Sequence, residues 1–147
     1  MTSQLNVDTI VDKAGSGGSN VKMANTSTYV ADGGSATQNT VQGLAKAWVN
    51  FTGVSATSSR DSFNVASLTD SGTGHNTITF TNAMSNANYT GSWFNNADSN
   101  SGITGLSNNN AGNFAIRTTA SYQTQCWATN GAADALRNDS TIFGDLA

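Results

Sequence analysis

From Trp48 to Phe143 the chain keeps returning to one pattern. Four to eight residues alternate apolar or aromatic side chains with Thr, Ser or Asn, and Gly, Asn or Asp then interrupts them. Alternation with a period of two is the signature of a half-buried strand. Trp48-Val49-Asn50-Phe51 runs into Thr52-Gly53-Val54. Ser62 to Thr69 and Asn76 to Thr81 flank Asp70-Ser71-Gly72-Thr73-Gly74-His75. Phe63/Val65 and Ile78/Phe80 alternate cleanly there, and the glycine-bearing connection predicts a hairpin. Ala87 to Phe94, Asn113 to Thr118, Ser121 to Trp127 and Ser140 to Gly144 repeat the pattern. Short strands at turn-marked intervals predict an all-β body, a sandwich or a barrel, over residues 49–147.

The rest of the chain departs from that pattern. Leu5 and Val7 alternate and the register slips at Ile10/Val11, which reads as a short strand ending in a bulge. With nothing nearby in sequence to pair with, it reads as an arm for another sheet or subunit. Residues 13–39 hold two Gly/Ser clusters and have the composition of a linker, so residues 1–39 are expected to be an extended arm. Val41, Leu44, Ala45 and Trp48 then fall at i, i+3, i+4 and i+7, with Asn39 or Thr40 as cap, which predicts a short helix over 40–48. Two and a half turns do not hold alone. The stripe needs cover, either from two further copies of itself or from the following sheet.

Composition says how such a chain can be stabilised. Ser, Thr and Asn number 18, 20 and 19 of 147 residues, whereas Leu, Ile, Val and Phe together number 25. With a formal charge of only −3, repulsion does not keep the chain expanded. Strands so poor in large apolar groups are expected to complete their pairing with neighbouring copies. A three-fold assembly would cover edge strands and bury the arm and neck residues Leu5, Val7, Ile10, Val41, Leu44 and Trp48. Each of the larger side chains contributes about 1.5–3 kcal/mol on burial.

Several functions are disfavoured by the same residues. Six scattered Lys and Arg make no basic patch for nucleic acid. No run reaches the roughly 18 apolar residues of a membrane span, and the first ten residues lack a secretory pattern. One cysteine, Cys126, and one histidine, His75, allow neither a disulfide framework nor a multi-histidine or multi-cysteine metal centre. His75 reads as an exposed loop residue and Cys126 as a buried structural thiol. Asp61, Asp70, Asp98, Asp134, Asp139 and Asp145 lie beside turn residues, where Asp more often bonds its own backbone than serves as a catalytic carboxylate. Calcium in the loop Asn95–Asn100 is weakly signalled. No catalytic residue, metal or cofactor is therefore expected.

Binding remains. Trp93, Phe94, Tyr122 and Trp127 are either core or a stacking surface for sugar rings, with Asn and Thr bonding hydroxyls. The loop Asn95 to Asn113 is the expected contact region, since recognition sits on loops borne by a rigid scaffold. The expected contacts are Trp93, Phe94, Asn95, Asn96, Asn108, Asn109 and Tyr122.

Particular phrases also carry a resemblance. Leu5-Asn6-Val7-Asp8-Thr9-Ile10, Ala45-Lys46-Ala47-Trp48-Val49-Asn50-Phe51, Phe63 through Gly74, Phe80-Thr81-Asn82-Ala83-Met84, Asn88-Tyr89 and Ile142-Phe143-Gly144-Asp145 occur in this order. Together they resemble tail-fibre and virion-appendage proteins of marine bacteriophages, those of cyanobacteria included. The proline common after the methionine in that family is replaced by Ser85. The resemblance implies a homotrimeric fibre on the virion, its N-terminal end anchored to the particle and its distal β-body meeting the host. With the reading of the aromatics above, the expected partners are another virion protein at the arm and a host-surface glycan or receptor at the body. A head fibre, decoration protein or adaptor without a receptor role is the alternative, and a glycan depolymerase a more distant one.

Overall fold

The computed structural model describes residues 27–30, 34–96, 103–105, 117–128 and 131–147. The chain divides into two units, residues 1–41 and 42–147. In the first, β1 (Thr28–Val30) and β2 (Thr37–Asn39) form an antiparallel hairpin, with Tyr29 opposite Gln38. The Tyr29 hydroxyl donates to Gln38 Oε1 at 2.7 Å, and the Thr40 amide and hydroxyl both donate to the Ser27 carbonyl. The extended thread expected through residue 39 is thus a small hairpin where it is described. Leu5, Val7 and Ile10 lie outside the described residues.

The second unit is all β. It comprises β3 (Ala47–Thr52), β4 (Ser58–Phe63), β5 (Val65–Gly72), β6 (His75–Phe80), β7 (Thr90–Asn96), β8 (Ile103–Gly105), β9 (Ser121–Ala128), β10 (Gly131–Ala132) and β11 (Arg137–Phe143). One sheet runs β4-β3-β11-β7. The other runs β10-β9-β6-β5, with β8 also paired to β9, and every pairing is antiparallel. The two share one core and neither closes into a barrel.

That core follows from alternation. Ala47, Val49 and Phe51 of β3 and Ile142 of β11 are buried from one side, Ile78 and Phe80 of β6 and Tyr122 of β9 from the other. Met84 and Tyr89 belong to the same cluster. Phe80 meets Tyr89 edge to face at 5.7 Å and Tyr122 at 5.4 Å, geometries that suit the ring quadrupole. The Tyr89 hydroxyl reaches the Thr118 and Ser121 carbonyls at 3.1 and 2.9 Å, which ties the segment before β7 to the start of β9.

The helix expected over 40–48 is not formed. Residues 40–43 are a turn, Leu44 is 67% exposed, and the Lys46 amide already donates to the Ile142 carbonyl at 2.8 Å. Extended pairing satisfies the backbone along β11 and buries Ala47, Val49 and Phe51 together, whereas a helix would have buried only the Val41–Trp48 stripe. Val41 stays in the first unit, half-buried.

The hairpin expected between Ser62–Thr69 and Asn76–Thr81 is present as β5 and β6, but Phe63 does not belong to it. Asn64 adopts φ 56°, a left-handed conformation that Asn tolerates better than most residues, and there the chain passes from one sheet to the other. Its amide donates to the Lys46 and Asn82 carbonyls at 2.9 and 3.1 Å, while its Oδ1 accepts the Asn82 amide at 2.7 Å. At the tip, Gly74 (φ 72°) sits where a Cβ would fall 2.5 Å from the Cys126 carbonyl, so only glycine fits.

Candidate binding face

The outer surface of β4-β3-β11-β7 is built by register. Side chains of directly opposed residues in an antiparallel pair project from the same face. Trp48 is opposite Phe63 on one side and Thr141 on the other, and Thr141 is opposite Ser92. The next outward row reads Asp61, Asn50, Asp139, Phe94. Because Ala47, Val49 and Phe51 point into the core, Trp48 and Asn50 point out, and their row partners do the same. Phe63 is 51% and Phe94 72% exposed, unusually open for such large apolar groups. Trp48 is partly covered, as expected of a ring flanked by Phe63 and Thr141.

Between the rings the face is polar and ordered. The Asn50 amide donates to Asp139 Oδ1 across the strands. The Asp61 carboxylate accepts the adjacent Ser62 amide at 2.9 Å. Arg60, at the bulge between β3 and β4, reaches onto this face: its guanidinium donates to Asn50 Oδ1 at 3.5 Å and to the Phe51 and Leu136 carbonyls at 3.1 and 2.7 Å. Chemically, this is a platform with two separated aromatic stations, Trp48 with Phe63 and then Phe94, and amide, hydroxyl and carboxylate groups between them. Phe143, in the same alternation, is half-buried one row beyond Thr141.

The expected contact residues separate into different places. Phe94 lies on the platform. Trp93, its neighbour, points the other way and packs against the core, its indole Cη2 only 2.9 Å from where a Gly91 Cβ would stand. The Trp93 Nε1 is buried without a partner among the described residues. Asn95, in the same alternation, is half-buried. Asn96 ends β7 opposite Arg137, and Asn108 and Asn109 lie outside the described residues. Tyr122 is a correction. At 1% exposure it is core, and its hydroxyl shares a 2.5 Å hydrogen bond with Ser140 Oγ, so no receptor reaches it.

Trp48, expected in a helical trimer neck, and Phe63, expected in the hairpin's alternation, are the platform residues that sequence reasoning assigned elsewhere. The missed signal was the alternation of Ala47, Val49 and Phe51, which sets Trp48 outward once β3 begins one residue before it.

Of the groups weighed for catalysis, Asp61 and Asp139 lie on this face, Asp98 lies outside the described residues, and others hold structural positions. His75 Nε2 lies 2.8 Å from Gln125 Nε2 on the outer face of the second sheet. Asp70 accepts the Gly72 amide and Asp134 the Gly74 amide, both as turn acceptors. Cys126 is buried, and burial with the nearby Asp134 raises its thiol pKa, the opposite of an activated nucleophile. Among the described residues, no three His, Cys, Asp or Glu side chains group to hold a metal ion, and no helix is long and apolar enough to cross a membrane. A cleft of about 240 Å³ opens between β4 and β5, lined by Thr57, Ser58, Ser59, Ser62 and Ser67 together with the apolar Val65, Ala66 and Leu68. Compared with known protein families, curated proteins and solved structures, the chain matches none.

Proposed function

We propose that this chain is a structural fibre protein of a bacteriophage virion, a homotrimer without enzymatic activity, whose β-body adsorbs to glycan on the host surface. Its N-terminal arm is held by another virion protein, and Leu5, Val7, Ile10, Val41 and Leu44 contribute to the contacts between copies. Trp48, on the outer sheet face, is reassigned from that interface to adhesion.

One observation carries the adhesive part of this reading: Phe94 and Phe63 stand open on one sheet face with Trp48, Asn50 and Asp139 between them. Large exposed rings on a rigid scaffold mark interaction sites, and an amphipathic ring face with neighbouring amide and carboxylate groups suits the apolar face and hydroxyl rim of a sugar. The phage assignment rests on the ordered phrases that run from Leu5 to Asp145. The scarcity of large apolar residues supports assembly from several copies.

Adsorption of labelled protein to host cells tests the reading. Loss of adsorption in Trp48→Ala and Phe94→Ala chains that remain folded is expected. Unchanged adsorption in both would assign the chain to scaffold or decoration of the virion instead.

A further inference from the structure

The platform has a direction and a length, and if the face is adhesive, as proposed, both narrow its ligand. Trp48 lies on β3 and Phe94 on β7, two strands away and one outward row further along. With strands about 4.8 Å apart and residues advancing ~3.4 Å, the two stations are separated by roughly 10 Å across and 7 Å along the sheet, about 12 Å in all. The line between them crosses β11 between Thr141 and Asp139, a hydroxyl and a carboxylate. Asn50 fixes that carboxylate by donating to one of its oxygens.

Charge narrows the ligand further. Recognition of a sulfate or uronate calls for converging cations. Of the cationic side chains in residues 42–147, Lys46 is buried, Arg60 is engaged by Asn50 Oδ1 and the Phe51 and Leu136 carbonyls, and Arg117 donates to the Tyr89 carbonyl at 2.8 Å. Arg137 stands at the border of the face, opposite Asn96. The groups presented between the rings are acceptors and amides, which match neutral hydroxyls.

We infer that this face takes a neutral, linear glycan laid diagonally from Trp48 and Phe63 to Phe94, with three successive sugar rings spanning it. A pyranose advances its chain by roughly 5 Å, close to one strand spacing, so the centres of the first and third rings lie about 10 Å apart and come within about 2 Å of the spacing of the stations. The middle ring lies over β11, where Asp139 and Thr141 bond its hydroxyls. A chain with alternating linkage orientation presents the same ring face at every second residue, which is the repeat that two stations require.

Calorimetric titration of the full-length protein with β-1,4-linked glucose, mannose and N-acetylglucosamine oligomers of two to six residues tests this, with oligouronates and sulfated galactan oligomers as anionic counterparts. At least one neutral series is expected to bind at least tenfold tighter at three residues than at two, with little further gain, and the anionic series more weakly at every length. Phe94→Ala, whose ring is mostly in solvent, is expected to remove the step between two and three residues. Trp48→Ala is expected to weaken all lengths at least tenfold, and Trp48→Phe to restore much of the binding. Binding without a length step, a step that survives Phe94→Ala, preference for the anionic series, or no neutral binding while cells are still adsorbed through Trp48 would each overturn the inference and leave adhesion standing. Absence of both oligosaccharide binding and cell adsorption would remove the two together.

Discussion

Tyr122 and Ser140 face each other across the interior, one from each sheet, and share a hydrogen bond of 2.5 Å between their hydroxyls. Tyr122 packs its ring against Phe80 in the apolar half of the core. Beyond Ser140 the interior turns polar, with Asn76 and Asn138 buried; Asn76 accepts the Thr57 hydroxyl at 3.0 Å and Asn138 donates to the Ala135 carbonyl at 3.2 Å. The pair therefore joins the sheets where hydrophobic contact gives way to hydrogen bonding. Tyr122→Phe leaves a buried hydroxyl without its partner, and a loss of about 1–3 kcal/mol is expected. Urea unfolding checks it. Adding Ser140→Ala should recover part of the loss, because no orphaned group remains. Equal additive losses would mean the two do not interact.

Asn64 is expected to be sensitive for two separable reasons, its left-handed backbone and its three hydrogen bonds to Lys46 and Asn82. Asn64→Ala loses both and should cost about 2 kcal/mol or more. Asn64→Gly keeps the backbone and loses the bonds, so it should fall between wild type and alanine. If alanine and glycine unfold at the same denaturant concentration, the left-handed conformation contributes nothing.

Gly91 leaves space that Trp93 and Ile142 occupy. An added Cβ would meet the Thr141 carbonyl at 2.6 Å and Ile142 Cδ1 at 2.7 Å, both closer than van der Waals contact. Gly91→Ala is expected to destabilise by about 1–3 kcal/mol, as overpacking does, and to shift the tryptophan emission as Trp93 is displaced. Emission and unfolding midpoint identical to wild type would show that β7 does not pack this way.

Alkaline pH is expected to unfold the second unit. Burial pushes Tyr89 up to about 12, against the lowering influence of the nearby Arg117 charge, and burial also raises Tyr122. An unfolded tyrosine titrates near 10. Above that pH the folded chain holds the more protons, so stability complete below pH 10 is lost as pH climbs toward 12. Lys46 acts in the opposite sense. Burial lowers its pKa from 10.5 despite the nearby Asp145, so the unfolded chain binds its proton more tightly, and stability rises as pH approaches that value. Thermal unfolding between pH 7 and 12 should show a shallower alkaline fall in Tyr89→Phe and the loss of the preceding rise in Lys46→Met. Curves parallel to wild type would reject both assignments.

Light scattering of the full-length protein in solution checks the proposed assembly, with an expected mass of three chains of 15.1 kDa each. A single species of one chain would remove the trimer from the proposal.

The sequence by itself determined the class of fold and much of its local order. Alternation of Val49/Phe51 and Ile78/Phe80, with Gly72 and Gly74 between β5 and β6, specifies strands and a hairpin because period-two burial and turn conformation are local properties. It also put Phe94 forward as a contact. Direction across the sheet is not local. Whether 40–48 coils or extends depended on the backbone of β11, which offers Lys46 and Ala47 a ladder and the core a place for Val49. Whether Phe63 shares a face with Val65 depended on Asn64 turning left-handed between them, and whether Tyr122 meets a ligand or Ser140 depended on the opposite sheet. The tertiary structure decided these, since a one-residue change in where a strand begins, or one left-handed residue between two strands, sends every following side chain to the other face.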